Sequence, residues 1–191
     1  MASTHRPLGR PRSNAIDGAL FRAAFELVAS EGYGRLTIER IAAVSGVSKA
    51  SIYRRFRSRA ELVADALLAN YSIVPAACAN PVGGVERYLR RIFAAVRNQA
   101  GPMLQGLMAD AQLEPGFRAI FRERFIHTRR AALADAIEAE YCQPANLDLL
   151  LDFALGTMWY RLLVGHGTLN DRDAAEIARA LARLVPAEAI G

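Results

Sequence analysis

The stretch 37–56, TIERIAAVSGVSKASIYRRF, constrains the chain most, because two short helical patterns in it are separated by a single glycine. Thr37 offers a hydroxyl to cap the first helix, and Ile38, Ile41 and Val44 recur at helical spacing behind it. Gly46 falls where a tight interhelical turn requires positive φ, a conformation glycine adopts readily. Ser48 then caps a second helix whose Ile52 and Phe56 share one face and turn inward with Val47. That leaves Lys49, Ala50, Ser51, Tyr53, Arg54 and Arg55 facing outward. Small side chains at the start of this helix permit close approach to a surface, and the bases neutralise phosphates. The pattern therefore reads as a helix-turn-helix that places its second helix in a DNA major groove. A plain αα-hairpin with a solvated basic face is the alternative that spacing alone leaves open.

The charge follows the same division. The formal net charge is +5, yet residues 1–60 hold 11 Lys and Arg against 4 Asp and Glu, while residues 61–191 hold 13 against 15. The basic excess sits on the end with the helix-turn-helix, which points to a polyanion partner there and to none elsewhere. With 52% hydrophobic residues, the 191-residue chain can bury one continuous core or two small ones. It has no run of about 18 apolar residues to span a bilayer and no apolar leader, so the expectation is a cytoplasmic protein without a membrane partner. Cys78 and Cys142 stand far apart without C-x-x-C spacing and read as reduced structural thiols, with a redox-sensing pair as the alternative.

Residues 32–62, GYGRLTIERIAAVSGVSKASIYRRFRSRAEL, closely resemble the DNA-binding domain of the TetR family of bacterial transcriptional regulators. The family pattern runs G-x-x-x-x-T-V/I-x-x-I-A, then A-G-V-S-x-G/A-S/T-L/I-Y-x-H/Y-F, then x-S/N-K/R-x-x-L. This chain departs from it at Ser45, where alanine is commoner, and at Arg55, where an aromatic ring or histidine is usual. The resemblance implies an all-α fold with three short N-terminal helices, a linking fourth helix and an all-helical domain for sensing and dimerisation. It also implies a homodimer on a double-stranded DNA operator and a sensor cavity for a small molecule. In that frame Lys49 and Ser51 are candidates for base edges, with Ala50 allowing close approach. Thr37, Tyr53, Arg54, Arg55 and Arg59 are candidates for phosphates, as are the amides at the helix start capped by Ser48.

Residues 1–12 hold Arg6, Arg10 and Arg12 among two prolines and a glycine, a composition that builds neither helix nor core. They read as a disordered basic arm, with Arg10 and Arg12 either reaching into a minor groove or serving as a solubilising tail. The DNA-binding domain comes next, over 13–74. Ile16, Leu20, Phe21, Ala24, Phe25 and Val28 form the apolar face of a first helix ending near Glu31. Ser58-x-x-Glu61 has the form of a capping box, opening a fourth helix that fades before Pro75 and is the only covalent link from the helix-turn-helix to the second domain.

That second domain spans 84–188 and brings the helix count to about nine. Segment 85–99 is amphipathic, 103–112 is short, and Pro115 starts a long helix to about 140. Segment 147–164 is apolar nearly all round and needs cover on every side, and Asn170 caps a last amphipathic helix. By the family resemblance these last two helices pair with their copies, with Leu151, Leu155, Leu162, Ile177, Leu181 and Leu184 at the interface. A purely intramolecular core helix is the alternative. Phe93, Met103, Leu107, Met108, Phe121, Phe125, Met158 and Trp159 supply lining for a small apolar or amphipathic effector, or else plain core.

Nothing in the sequence is arranged for catalysis. His5 lies in the arm, His127 beside Arg129 and Arg130 on a charged helix face, and His166 between glycines. None has metal-ligand spacing, and no glycine-rich loop follows a strand, so no enzyme, metal or cofactor is expected. The sequence reads as a DNA-binding transcriptional regulator, a repressor released from a palindromic operator by its effector. A constitutive regulator or an activator without an effector is the alternative.

Overall fold

The computed structural model describes residues 14–71, 83–142 and 144–185. Arg10 and Arg12, with the rest of the arm 1–12, lie outside the described residues, as does Cys78. Every element among the described residues is helical: α1 (Asn14–Glu31), a 3-10 turn (Tyr33–Arg35), α2 (Ile38–Ser45), α3 (Lys49–Tyr53), α4 (Arg59–Asn70), α5 (Gly84–Ala95), α6 (Gly101–Leu113), α7 (Pro115–Phe121), α8 (His127–Tyr141), α9 (Leu147–Val164) and α10 (Asp171–Leu184). A wide π-type turn, Arg122–Ile126, joins α7 to α8 without leaving helical geometry. Counted as one helix, that pair gives the nine expected. The break after α5 comes at Asn98, whose backbone is non-helical, and not at Gly101-Pro102, which instead start α6. No helix among the described residues is long and apolar enough to cross a membrane.

The first three helices close around Leu20, Ala24, Ile41 and Ile52, all fully buried, with the Phe21 and Phe56 rings 6.3 Å apart. Local chemistry sets their ends. Thr37 accepts from the Arg40 N–H and Ser48 from the Ser51 N–H, each at 3.3 Å. Gly46 turns the chain at φ 70° while its N–H closes on the Ala42 carbonyl. Such caps contribute about 1 kcal/mol each. At α4 the Ser58 hydroxyl accepts from the Glu61 N–H at 3.2 Å, but the Glu61 carboxylate reaches back to the Arg57 N–H, one residue earlier than a strict capping box. Val44 does not join the core. It is half-exposed on the far side of α2, while Ile38 and Ile41 carry the inward face.

Helix α4 is enclosed on nearly every side, with Ala60, Leu62, Val63, Ala64, Ala66 and Leu67 buried, and one continuous hydrophobic cluster runs through it into α5–α10. A polar clamp holds the seam beside it. The Tyr33 phenol donates to Asp110 at 2.6 Å, and burial, followed by that carboxylate, pushes its pKa upward so that it stays protonated. Arg59 donates to the Leu36 carbonyl at 2.7 Å and to Asp110 at 3.3 Å, with its guanidinium 5.0 Å from the Tyr33 ring centre.

In α9 the line Leu151, Leu155 and Met158 turns inward and is buried within the chain. The outward stripe is Leu149 (53% exposed), Phe153 (49%), Tyr160 (61%), Leu163 and Val164, with Gly156 exposed among them. Of the six residues expected at a subunit interface, Leu151, Leu155 and Leu181 are therefore core, Leu162 and Ile177 are half-buried, and Leu184 alone is exposed. A helix apolar all round has no polar face to fix its phase, so spacing picked out an apolar line but not its direction.

The seam depends on Gly106. A methyl group there would lie 2.1 Å from the Tyr33 ring carbons, which Asp110 and Arg59 hold in place. Gly106→Ala is expected to destabilise the protein by about 1–3 kcal/mol, as overpacking of a fixed neighbour does. Urea denaturation of wild type and variant measures this, and an unchanged midpoint would show that the ring yields freely.

Candidate nucleic-acid interface

The exposed surface of α3 is formed by Lys49, Ala50, Tyr53 and Arg54, with Ser48 exposed at its start and Ser51 half-buried. Its geometry comes from the cap. Ser48 holds the first turn, so Lys49 and Ala50 project at the open end of the helix, and Tyr53 stands 55% exposed one turn on. Arg54 lies back along the helix and donates to the Ser51 hydroxyl at 2.6 Å. Lys49 is 3.5 Å from Glu39 across the turn, both exposed, which is a loose pair that a phosphate or base edge can displace. The Glu39 carboxyl is held below its ordinary value, first by its own backbone N–H at the start of α2 and then by Lys49.

Two expected phosphate ligands are engaged elsewhere. Arg55 pairs with Asp17 at 3.1 Å, both largely covered, and so ties the end of α3 to the start of α1. Arg59 is committed to Leu36 and Asp110 in the seam. Sequence spacing counts such arginines as surface cations because it holds no record of the distant carboxylate. Thr37 is exposed at its cap. Val44, which helical spacing sets on the inward face, is exposed near the other end of α2, and sequence spacing passes over the exposed Arg57 after α3. The exposed surface of this helix pair thus carries Lys49, Arg54 and, paired with Glu31, Arg40 as cations, with Tyr53 and Val44 exposed beside them.

Farther along, two small cavities adjoin at Ile92, Leu104, Phe125 and Arg129. One, of about 240 Å³, lies against the end of α4 at Leu67, Asn70 and Tyr71. The other, of about 280 Å³, reaches Ile126, Leu155, Met158 and Trp159. Of the eight expected lining residues, Phe125, Met158 and Trp159 border these spaces. Phe93, Met103 and Leu107 are fully buried core. Phe121 stacks between Phe117 and Phe125, and half-buried Met108 accepts a weak contact from Gln112. A larger depression of about 1330 Å³ between α1 and the end of α4 opens broadly to solvent and is a surface cleft.

Arg129 is the residue the sequence placed wrongly. Instead of a charged outer face it occupies the interior, 8% exposed, on the wall shared by both cavities. Its guanidinium donates to the Tyr71 carbonyl at 3.2 Å and lies 3.9 Å from the Phe125 ring centre. The period of α8 gives no hint of it, since an arginine pair at 129–130 reads as surface.

Comparison with known proteins agrees with this architecture. Residues 20–66 match the family described as bacterial regulatory proteins, tetR family, and residues 81–181 match the tetracyclin repressor-like, C-terminal domain. The DNA-binding transcriptional repressor TetR of Mycobacteroides abscessus is 36% identical over 169 residues, 84% of this chain and 88% of the relative. The uncharacterized HTH-type transcriptional regulator YdeS of Bacillus subtilis is 24% identical over 170 residues, 85% of this chain and 86% of the relative. A solved TetR transcriptional regulator from Rhodococcus sp. RHA1 shares the fold at a TM-score of 0.62 and 18% identity, over 92% of this chain and 97% of its own.

The two kinds of arginine are separable by salt. Arg54→Ala is expected to lower the salt dependence of DNA binding by about one unit of log–log slope, the signature of one lost phosphate contact. Arg59→Ala should leave that slope unchanged and instead lower stability by about 1–3 kcal/mol, because Asp110 loses its cation. Fluorescence-anisotropy titrations at several salt concentrations, beside urea denaturation, separate the two.

Proposed function

The chain belongs to the TetR family of bacterial transcriptional regulators, and on that premise we propose that it is a homodimeric repressor, released from a palindromic operator by a small-molecule effector. The observation that carries this is the position of α4. Its last turn walls a cavity at Leu67, Asn70 and Tyr71, and its first turn comes after α3 by a short link and is clamped by Arg59 to Asp110. An occupant of the cavity therefore bears on the same rigid element that carries the recognition helix. Binding that favours one tilt of α4 shifts the population toward that tilt, and release of DNA results only from this differential affinity.

The outward apolar stripe of α9 supports self-association. Leu149, Phe153, Tyr160, Leu163 and Val164 form a contiguous exposed face of a kind that soluble proteins keep covered. Paired with its copy, this face sets two α3 helices for successive major grooves, about 34 Å apart. Repression is the sign carried by the name of the relative that is 36% identical. Lys49 and Ser51 read bases in this scheme, and Thr37, Tyr53 and Arg54 hold phosphates.

An electrophoretic shift on the DNA flanking the protein's own gene, against random competitor, tests this function. The expected result is a competitor-resistant complex with two or more chains per site. Phe153→Asp with Tyr160→Asp is expected to give monomers in analytical ultracentrifugation and to weaken that complex by at least tenfold. A dimer that persists would place the interface elsewhere. Lys49→Ala should weaken operator more than random DNA, and equal losses would reassign Lys49 to phosphate.

A further inference from the structure

Among the described residues, Arg129 is a buried cation without a counter-ion. Its neighbours on the same stretch are paired, Arg124 with Asp65 at 2.7 Å and Arg130 with Asp148 and Asp152. Among the described residues no carboxylate stands within ion-pair distance of Arg129, and the titratable group acting on it is the Tyr88 phenol, which burial keeps protonated. Its guanidinium has five N–H donors and, among the described residues, makes a single hydrogen bond, to the Tyr71 carbonyl. Burial accordingly depresses its pKa, although an arginine remains charged. A buried charge in this state is unfavourable, and the Tyr71 carbonyl and the face of the Phe125 ring compensate it only in part.

We propose that Arg129 receives the head of the effector, and that the effector is an amphipathic monocarboxylate whose apolar body lies against Ile126, Met158 and Trp159. This rests on the effector-responsive reading above and names its ligand class. A monoanion fits because, among the described residues, Arg129 is the one buried cation of the two cavities without a carboxylate at ion-pair distance; Arg130 is balanced by its aspartates, and Arg91, on the wall of the first cavity, is exposed to solvent. The planar guanidinium fork matches a carboxylate, and the apolar second cavity matches an alkyl or aryl body. A doubly charged head would leave one charge without a buried cation. The carboxylate would also compete for the same donors with the carbonyl of Tyr71, the residue whose N–H closes the end of α4 on the Leu67 carbonyl. Charge recognition and the linking helix thus meet at one side chain.

The test uses the full-length protein and the fluorescence of Trp159, its single tryptophan, which borders the second cavity. Octanoate, decanoate, dodecanoate and 2-naphthoate are titrated, each beside its primary alcohol. At least one acid is expected to bind wild type ten times or more tightly than its alcohol. Arg129→Met should abolish that preference while the alcohol still binds, and Arg129→Lys should retain part of it. Met158→Phe, which narrows the apolar space without touching charge, should weaken acid and alcohol alike. Ligand-free Arg129→Met is expected to melt no lower than wild type, since it loses an uncompensated charge. A lower midpoint would make Arg129 a structural residue and overturn the proposal. So would equal binding of acid and alcohol, a preference that survives in Arg129→Met, or no acid binding at millimolar concentration. Running the DNA shift in parallel separates the two readings. Arg129-dependent acid binding that leaves DNA bound would uphold the anion site and overturn the release scheme. Release by alcohols as readily as by acids would uphold the release scheme and overturn the anion site.

Discussion

Enclosure of α4 is the constraint on which the rest of the structure depends. A helix with Leu62, Val63, Ala66 and Leu67 buried on different sides cannot shift without disturbing the packing of both domains. Its two ends are held differently. At the start, Arg59 binds Asp110 and the Leu36 carbonyl, so the helix is fixed to α6 and to the segment before the helix-turn-helix. At the end, the Tyr71 carbonyl takes a single hydrogen bond from Arg129. The first anchor is a network of several groups closed by Tyr33, and the second is one neutral acceptor on a guanidinium. Of the two, the second is the one a ligand can replace, because a charged acceptor bonds a guanidinium about twice as strongly as a neutral one.

Much of the DNA-binding end was legible because its signals are local. Caps at Thr37, Ser48 and Ser58 and the turn at Gly46 depend on residues a few positions apart, and all four lie where their chemistry requires. The arginines failed where their partners are distant in sequence. Asp17 lies 38 residues before Arg55, and Asp110 lies 51 residues after Arg59, so neither pairing leaves a trace in a short window. The direction of α9 failed for a second reason. With Leu149, Leu150 and Leu151 in succession, hydropathy is equal on every face, and the inward side is decided by packing against α6, α8 and α10.

Arg129 failed for a third reason, and the most instructive one. Binary patterning assigns charged residues to the surface because burial of an unpaired charge opposes folding by several kcal/mol. A departure from that rule marks a place where stability has been given up for something else. In Arg55 and Arg59 the departure is explained by a carboxylate within the chain. In Arg129 the opposing charge is not among the described residues, and the proposed effector is its natural source.

The geometry of α9 carries this one step further. Gly156 borders the second cavity and also lies in the outward stripe, between Phe153 and Tyr160, while Leu155, Met158 and Trp159 border the cavity from the same helix. The wall of the cavity and the proposed subunit interface are thus two sides of one helix, separated by a glycine with no side chain. A body seated against Met158 presses on the element that would set the distance between subunits, and its head at Arg129 acts on the element that sets the tilt of α3 within each subunit. In the proposed dimer both displacements would alter the separation of the two recognition helices. A ligand that filled only the apolar space would move α9 without releasing Tyr71, and a small anion at Arg129 alone would free Tyr71 without moving α9. An amphipathic acid would do both at once, which is the physical reason for expecting it to outperform either half.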